Sequence, residues 1–244
     1  MDTGRRTELA ANLAVVQQRV GTACAAAGRD PGSVTIVAIT KTWPAADVEL
    51  LAELGIRHVG ENRDQEARDK AAACAGLELT WHFVGQLQRN KAASVARYAD
   101  VVESVDRSAL VAALDRAAQH AGRRLGVCVQ VDLDERADTA GLDPAGGAPG
   151  RGGADPGVVL ALADEVAGSS SLDLLGVMAV APLGADPRPA FDRLAVIHGQ
   201  LLAEHPGAEM RSAGMSADLE PAIAAGATHI RLGSALLGHR APLK

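Results

Sequence analysis

A lysine that directly follows a run of apolar residues is a candidate for carbonyl chemistry. Lys41 is such a residue, in Ala38-Ile39-Thr40-Lys41-Thr42 at the end of the run Val34–Thr40. Burial at the mouth of an apolar element disfavours the ammonium, and an uncharged amine can attack an aldehyde or ketone. The same position also suits a loop lysine that merely follows a strand, and position alone does not separate the two readings. Two later stretches join glycine to serine, Ser212-Ala213-Gly214-Met215-Ser216-Ala217-Asp218 and Gly233-Ser234-Ala235-Leu236-Leu237-Gly238. Glycine lets backbone approach a ligand closely, serine adds a hydroxyl donor, and helix starts behind them point N–H groups outward. Either stretch alone is a turn; both together, opposite a candidate Schiff-base lysine, suggest a phosphate cradle.

Other polar residues punctuate the apolar runs. Arg231 precedes the second glycine-serine stretch and would face a ligand ring if it points inward; otherwise it is an exposed or salt-bridged arginine. Asn62, in Gly60-Glu61-Asn62, offers an amide to a ligand hydroxyl, while Glu61 reads as a carboxylate at a helix start. The stretch Trp81-His82-Phe83-Val84-Gly85-Gln86-Leu87-Gln88-Arg89-Asn90-Lys91 is polar where a third strand should open, and His82 by itself reads as a satisfied core histidine. The histidines show no metal-ligand spacing, so no metal is expected, and no serine, histidine and acid arrangement stands out.

The elements that would hold these residues alternate. A first amphipathic helix carries Leu9, Leu13, Val16, Val20 and Cys24 at helical spacing. Strands are expected at 34–40, 57–60, 79–84, 101–104, 125–133, 172–180, 208–212 and 229–232. Helices are expected between them at 44–54, 63–74, 91–98, 108–121, 158–167, 189–204 and 218–225. Eight such repeats in 244 residues point to a single (β/α)8 barrel with an extra N-terminal helix, over an open doubly wound sheet, and leave no room for a second domain. In that architecture strand C-termini face the ligand, and the loops after strands seven and eight are the usual phosphate site. Residues 143–157, rich in Gly and Pro, read as a flexible surface loop.

Composition narrows the class. Hydrophobic residues make up 48% and aromatics 2%, so the core must be aliphatic, as suits parallel strands covered on both faces. A net charge of −6 without a basic stripe argues against nucleic acid. Three cysteines without paired spacing suit a reducing compartment, and no run is long enough to span a bilayer, so a cytoplasmic protein is expected.

Taken in order along the chain, the segments 38–42, 60–62, 81–91, 214–220 and 230–238 resemble those of the YggS/PROSC family of pyridoxal phosphate homeostasis proteins. The resemblance implies a barrel like the N-terminal domain of alanine racemase, with pyridoxal 5′-phosphate (PLP) as cofactor. It implies a Schiff base on Lys41, Arg231 at the pyridine nitrogen, and Ser212, Gly214, Met215, Ser216, Gly233 and Ser234 around the phosphate. Asn62 and Met178 match positions near the ring. The chain departs from the family at Asp132, at Thr139-Ala140-Gly141 and in the insertion over 143–157. The function expected is PLP homeostasis without significant turnover, by a monomer or weak dimer with apo PLP-dependent enzymes as candidate recipients. The alternatives are a PLP-dependent amino-acid racemase and a Schiff-base aldolase acting through Lys41. A racemase of this fold needs a second base, and the chain's one tyrosine, Tyr98, is expected in a helix away from the strand ends.

Overall fold

The computed structural model describes residues 3–134 and 152–238. Its strands form a closed barrel in sequence order, β1 (Thr35–Ile39), β2 (His58–Glu61), β3 (Thr80–Phe83), β4 (Val101–Val105), β5 (Leu125–Val131), β6 (Leu172–Ala179), β7 (Met210–Ser212) and β8 (His229–Leu232). All eight pairings are parallel, and β8 returns to β1 in the register Ala38↔Leu232. The covering helices are α1 (Thr3–Ala26), α2 (Ala45–Glu53), α3 (Asp64–Ala73), α4 (Ala92–Val95), α5 (Ser108–Ala121), α6 (Val159–Ala167), α7 (Pro187–Glu204), α8 (Leu219–Ala224) and α9 (Ser234–Leu237).

Strand alternation divides the side chains between two zones. Outward residues such as Val59, Val102, Val127, Val129, Ile230 and Leu232 pack with the buried helix faces into one large aliphatic layer. The barrel interior is different: a small cluster of Cys128, Met178 and Met210 sits beside buried His82, Glu103, Ser212 and Arg231. Gly176 lets β6 pass close to β7, because a Cβ there would lie 1.9 Å from the Met210 carbonyl oxygen. Its φ of 147° lies outside the range that other residues favour.

The last repeat is irregular. Since α9 has only four residues, α1 covers that side of the barrel, burying Leu9, Leu13, Val16, Val20 and Cys24 and packing on α8 and α9. Three of its polar residues grip α9 and the loop after β7. Arg5 and Asn12 donate to the carbonyls of Leu237 and Leu236, each at 3.0 Å, and Arg19 donates to that of Ser216 at 3.1 Å. Arg5 also lies 4.4 Å over the Trp43 ring.

Two expectations are revised. The fourth helix is one turn, Ala92–Val95, so Tyr98 lies in the turn after it rather than within a helix. The expected loop over 143–157 lies outside the described residues up to 151; beyond that, Ala154 bridges Val131, and Asp155 caps a short 3-10 turn over Pro156–Val158. No helix among the described residues is long and apolar enough to cross a membrane, and all three cysteines are free and buried.

Candidate functional site

The C-terminal strand ends bring most of the singled-out residues to one face. Thr40 is the last fully buried residue after β1, and Lys41 follows it. Asn62, half-buried, follows β2, the strand that pairs with β1 on one side. On the other side the β1–β8 register puts Gly233 within 3.7 Å of Ile39, measured from where its Cβ would stand. A Cβ at Gly233 would thus stand in ordinary van der Waals contact with β1. Met178 and Ser212 are register partners on β6 and β7, and Arg231 reaches both strands, donating to the Ala179 carbonyl at 2.7 Å and to Ser212 Oγ at 2.6 Å.

The two glycine-serine loops are joined to each other. The Ala235 N–H donates to Ser216 Oγ at 3.2 Å, and the Arg231 N–H donates to the Gly214 carbonyl at 2.9 Å. Gly214 has φ 92°, and a Cβ there would lie 2.6 Å from that of Ala222, so the turn has room for glycine alone. The Met215 N–H is taken by Asp218 Oδ1. Gly233 is half-buried and Ser234 exposed.

Several positions differ from the sequence expectation. Lys41 is exposed, not buried, because β1 ends at Ile39 and the chain turns outward, with Thr42 at φ 68°. Ser212, expected beside a phosphate, faces the barrel interior; its fully buried hydroxyl donates to Glu103 Oε2 at 2.6 Å and accepts from Arg231. The helices behind the two loops, α8 and α9, have six and four residues, so loop N–H groups rather than long helix dipoles must supply any anion binding. Glu61 belongs to β2 rather than to a helix start, and its buried carboxylate pairs with Lys70 at 2.5 Å.

Sequence reasoning missed the buried chain beneath Arg231. Glu103 Oε1 lies 2.6 Å from His82 Nδ1, and His82 Nε2 lies 3.0 Å from His58 Nδ1. The rings of His58, His82 and His229 gather with centroids 5.2 to 6.2 Å apart. Burial alone would raise the Glu103 pKa, but the His82 hydrogen bond and charge, then Arg231 and the Ser212 hydroxyl, outweigh it and hold the group at about 2. Burial lowers the pKa of Arg231, against the charge of Glu103. Burial lowers His229 to about 4 and also lowers His58, each helped by its histidine neighbours. Tyr98 packs against the outer layer with its hydroxyl buried and without a hydrogen-bond partner, and burial pushes its pKa up.

These shifts fix the sign of an acid response. Between pH 6.5 and about 4 the unfolded chain protonates His229 and the folded chain does not, so stability falls as pH is lowered through that window. The ceiling for this one residue is about 3 kcal/mol. Glu103 adds a separate loss at lower pH, from about 4.5 down through about 2. Urea unfolding at pH 7 and pH 5 should show the first loss, and His229→Gln should flatten it; equal stabilities at the two pH values would refute it.

Among the described residues one group brings three metal-capable side chains together, Asp164, Glu204 and His205. It is a mostly exposed group on α6 and at the end of α7.

The sequence profile of the alanine racemase N-terminal domain matches residues 6–241. A pyridoxal phosphate homeostasis protein of Mycobacterium tuberculosis is 45% identical over 252 residues, covering 97% of this chain and 94% of that protein. The structure of PipY from Synechococcus elongatus with PLP bound is 33% identical with a TM-score of 0.77, covering 94% of this chain and 100% of that one. An alanine racemase of Clostridium difficile shares the fold with a TM-score of 0.72 at 14% identity; 97% of this chain matches 58% of that one.

Proposed function

The chain belongs to the pyridoxal phosphate homeostasis protein family, built on the alanine racemase N-terminal-domain fold, and we propose that it binds and releases PLP through Lys41 with little or no catalytic turnover. The observation that carries this reading is the meeting of three strand ends. Lys41 leaves β1 beside the Gly233–Ser234 loop, and Ser216 ties that loop to the one after β7. The family relationship and the PLP-bound PipY structure support the cofactor.

The donor set fits that group. Backbone N–H groups of Gly214, Ser216, Gly233 and Ser234, with the Ser216 and Ser234 hydroxyls, would hold the phosphate, over a floor kept low by two glycines; the Met215 N–H is already engaged by Asp218. Arg231 would face the ring nitrogen, with Asn62 and Met178 beside the ring. Ser212 would serve indirectly, by holding Arg231. When bound, PLP supplies an aldehyde that condenses with a lysine amine and a pyridine ring that can act as an electron sink. A guanidinium only donates hydrogen bonds, so Arg231 favours the ring nitrogen without a proton and weakens that sink.

Racemase activity would also need a second acid or base near the substrate carbon. Tyr98, the one tyrosine in the sequence, lies outside the barrel with its hydroxyl buried. A carrier role, with apo PLP-dependent enzymes as recipients, therefore fits this chain better than turnover. Borohydride reduction of the PLP-loaded protein followed by peptide mass mapping should place the adduct on Lys41. An adduct on Lys91 instead, or none, would refute the attachment, and sustained racemisation of amino acids by the holo-protein would refute the carrier role.

A further inference from the structure

Behind the turn that carries Lys41 lies a buried ionic cluster with no part in the cofactor site described above. Lys70, on α3, and Glu61, at the end of β2, have side chains 5% and 1% exposed. Lys70 Nζ donates to Glu61 Oε1 at 2.5 Å, to Glu66 Oε1 at 3.1 Å and to the Thr40 carbonyl at 2.7 Å. The Thr40 hydroxyl donates to the same Glu61 oxygen at 2.6 Å, and Glu66 Oε1 accepts the N–H of Thr42. The residues on both sides of Lys41 are thus held, Thr40 by its carbonyl and hydroxyl and Thr42 by its N–H.

The backbone shows what the hold achieves. Thr42 is the one non-glycine residue with positive φ among the described residues, at 68°, and a β-branched side chain resists that conformation. Stability is a weak reason to bury such a cluster, since apolar residues of similar volume often serve a fold as well or better. One carboxylate oxygen, Glu61 Oε2, is even left buried without a hydrogen-bond partner, and burial raises the Glu61 pKa against the opposing pull of Lys70 and Thr40. We propose that Lys70 and Glu66, braced by Glu61, are positioning residues for Lys41: they hold the Thr40–Thr42 turn in its left-handed form so that an otherwise exposed lysine is presented to the loop after β8. This rests on the reading of Lys41 as the PLP-binding amine.

The test uses the full-length protein with Glu66→Ala, Lys70→Met and the double variant Glu66→Ala/Thr42→Gly. Each is titrated with PLP by absorbance, reduced with borohydride and mapped, and its urea midpoint is recorded. Loss of either side chain should weaken PLP binding by on the order of tenfold, with the trapped adduct still on Lys41. Glycine takes up positive φ without penalty, so the double variant should recover part of the affinity lost in Glu66→Ala. A purely structural defect would not be relieved that way. Affinity unchanged in Glu66→Ala, or lost and not restored by Thr42→Gly, overturns the proposal even if Lys70→Met fails to fold. Failure of the parent protein to trap at Lys41 overturns the functional reading and this proposal with it, whereas a normal parent with unaffected variants overturns this proposal alone.

Discussion

Lys41→Ala should leave the fold intact and abolish covalent PLP binding. Lys41 is exposed and follows the last residue of β1 by two positions, so truncating it opens no cavity and leaves no buried partner stranded. Its effect on unfolding free energy should stay within about 0.5 kcal/mol, the usual range for surface substitutions away from special features. The effect on chemistry should be total, because the other lysine held at the same turn is unsuited to the task. Lys70 is buried and shared between Glu61, Glu66 and the Thr40 carbonyl. Mixing the variant with PLP should give only the spectrum of free cofactor, and reduction should yield no lysine adduct. A variant that still traps PLP on one lysine would show that the covalent site lies elsewhere.

Glu103→Ala should have the largest effect on stability. The Glu103 carboxylate is fully buried inside the barrel, where it meets His82 at 2.6 Å, accepts from Ser212 at 2.6 Å and lies 3.8 Å from Arg231. Removing one member of a buried ionic network leaves the others unpaired, which typically costs about 3 to 5 kcal/mol. Urea unfolding measures this directly, and a loss below about 1 kcal/mol would mean that the groups do not depend on one another. Coupling can be tested by combining Glu103→Leu with Arg231→Met. Because apolar groups can replace a whole buried pair at little cost, the double variant should be more stable than the two single losses predict. PLP binding should still suffer in it, since Arg231 is gone.

The barrel was legible from sequence because each strand is a short aliphatic run and each helix a longer periodic stretch, and the strand boundaries moved by at most two residues. The one-turn helix at Ala92–Val95 was not legible, because the apolar pattern continues through Tyr98 while the helix stops at Val95. Lys41, Asn62, Arg231 and the two glycine-serine loops could be found because they end strands. The roles of Ser212, Glu61 and Glu103 could not, because they depend on which way a strand side chain points across a closed barrel. A partial signal existed. His82, Glu103 and Arg231 each interrupt an apolar strand with a charged or titratable residue, and three such interruptions in one barrel suggest partners across its interior. Lys70 left a fainter trace: it lies three residues after the buried Ala67 and four after its partner Glu66, where a solvated lysine would not be expected.

The grip of α1 on α9 bears on how the protein is made. Arg5 and Leu237 are separated by 232 positions, Asn12 and Leu236 by 224, and β1 completes its pairing only with β8. On a ribosome α1 is synthesised well before α9 and must wait for that stretch before these contacts can form, and contacts of such long sequence separation fold slowly. Until then the free edge of β1 is unpaired on one side and open to association with other nascent chains. The mouth of the barrel can therefore set only after β8 and α9 have been made.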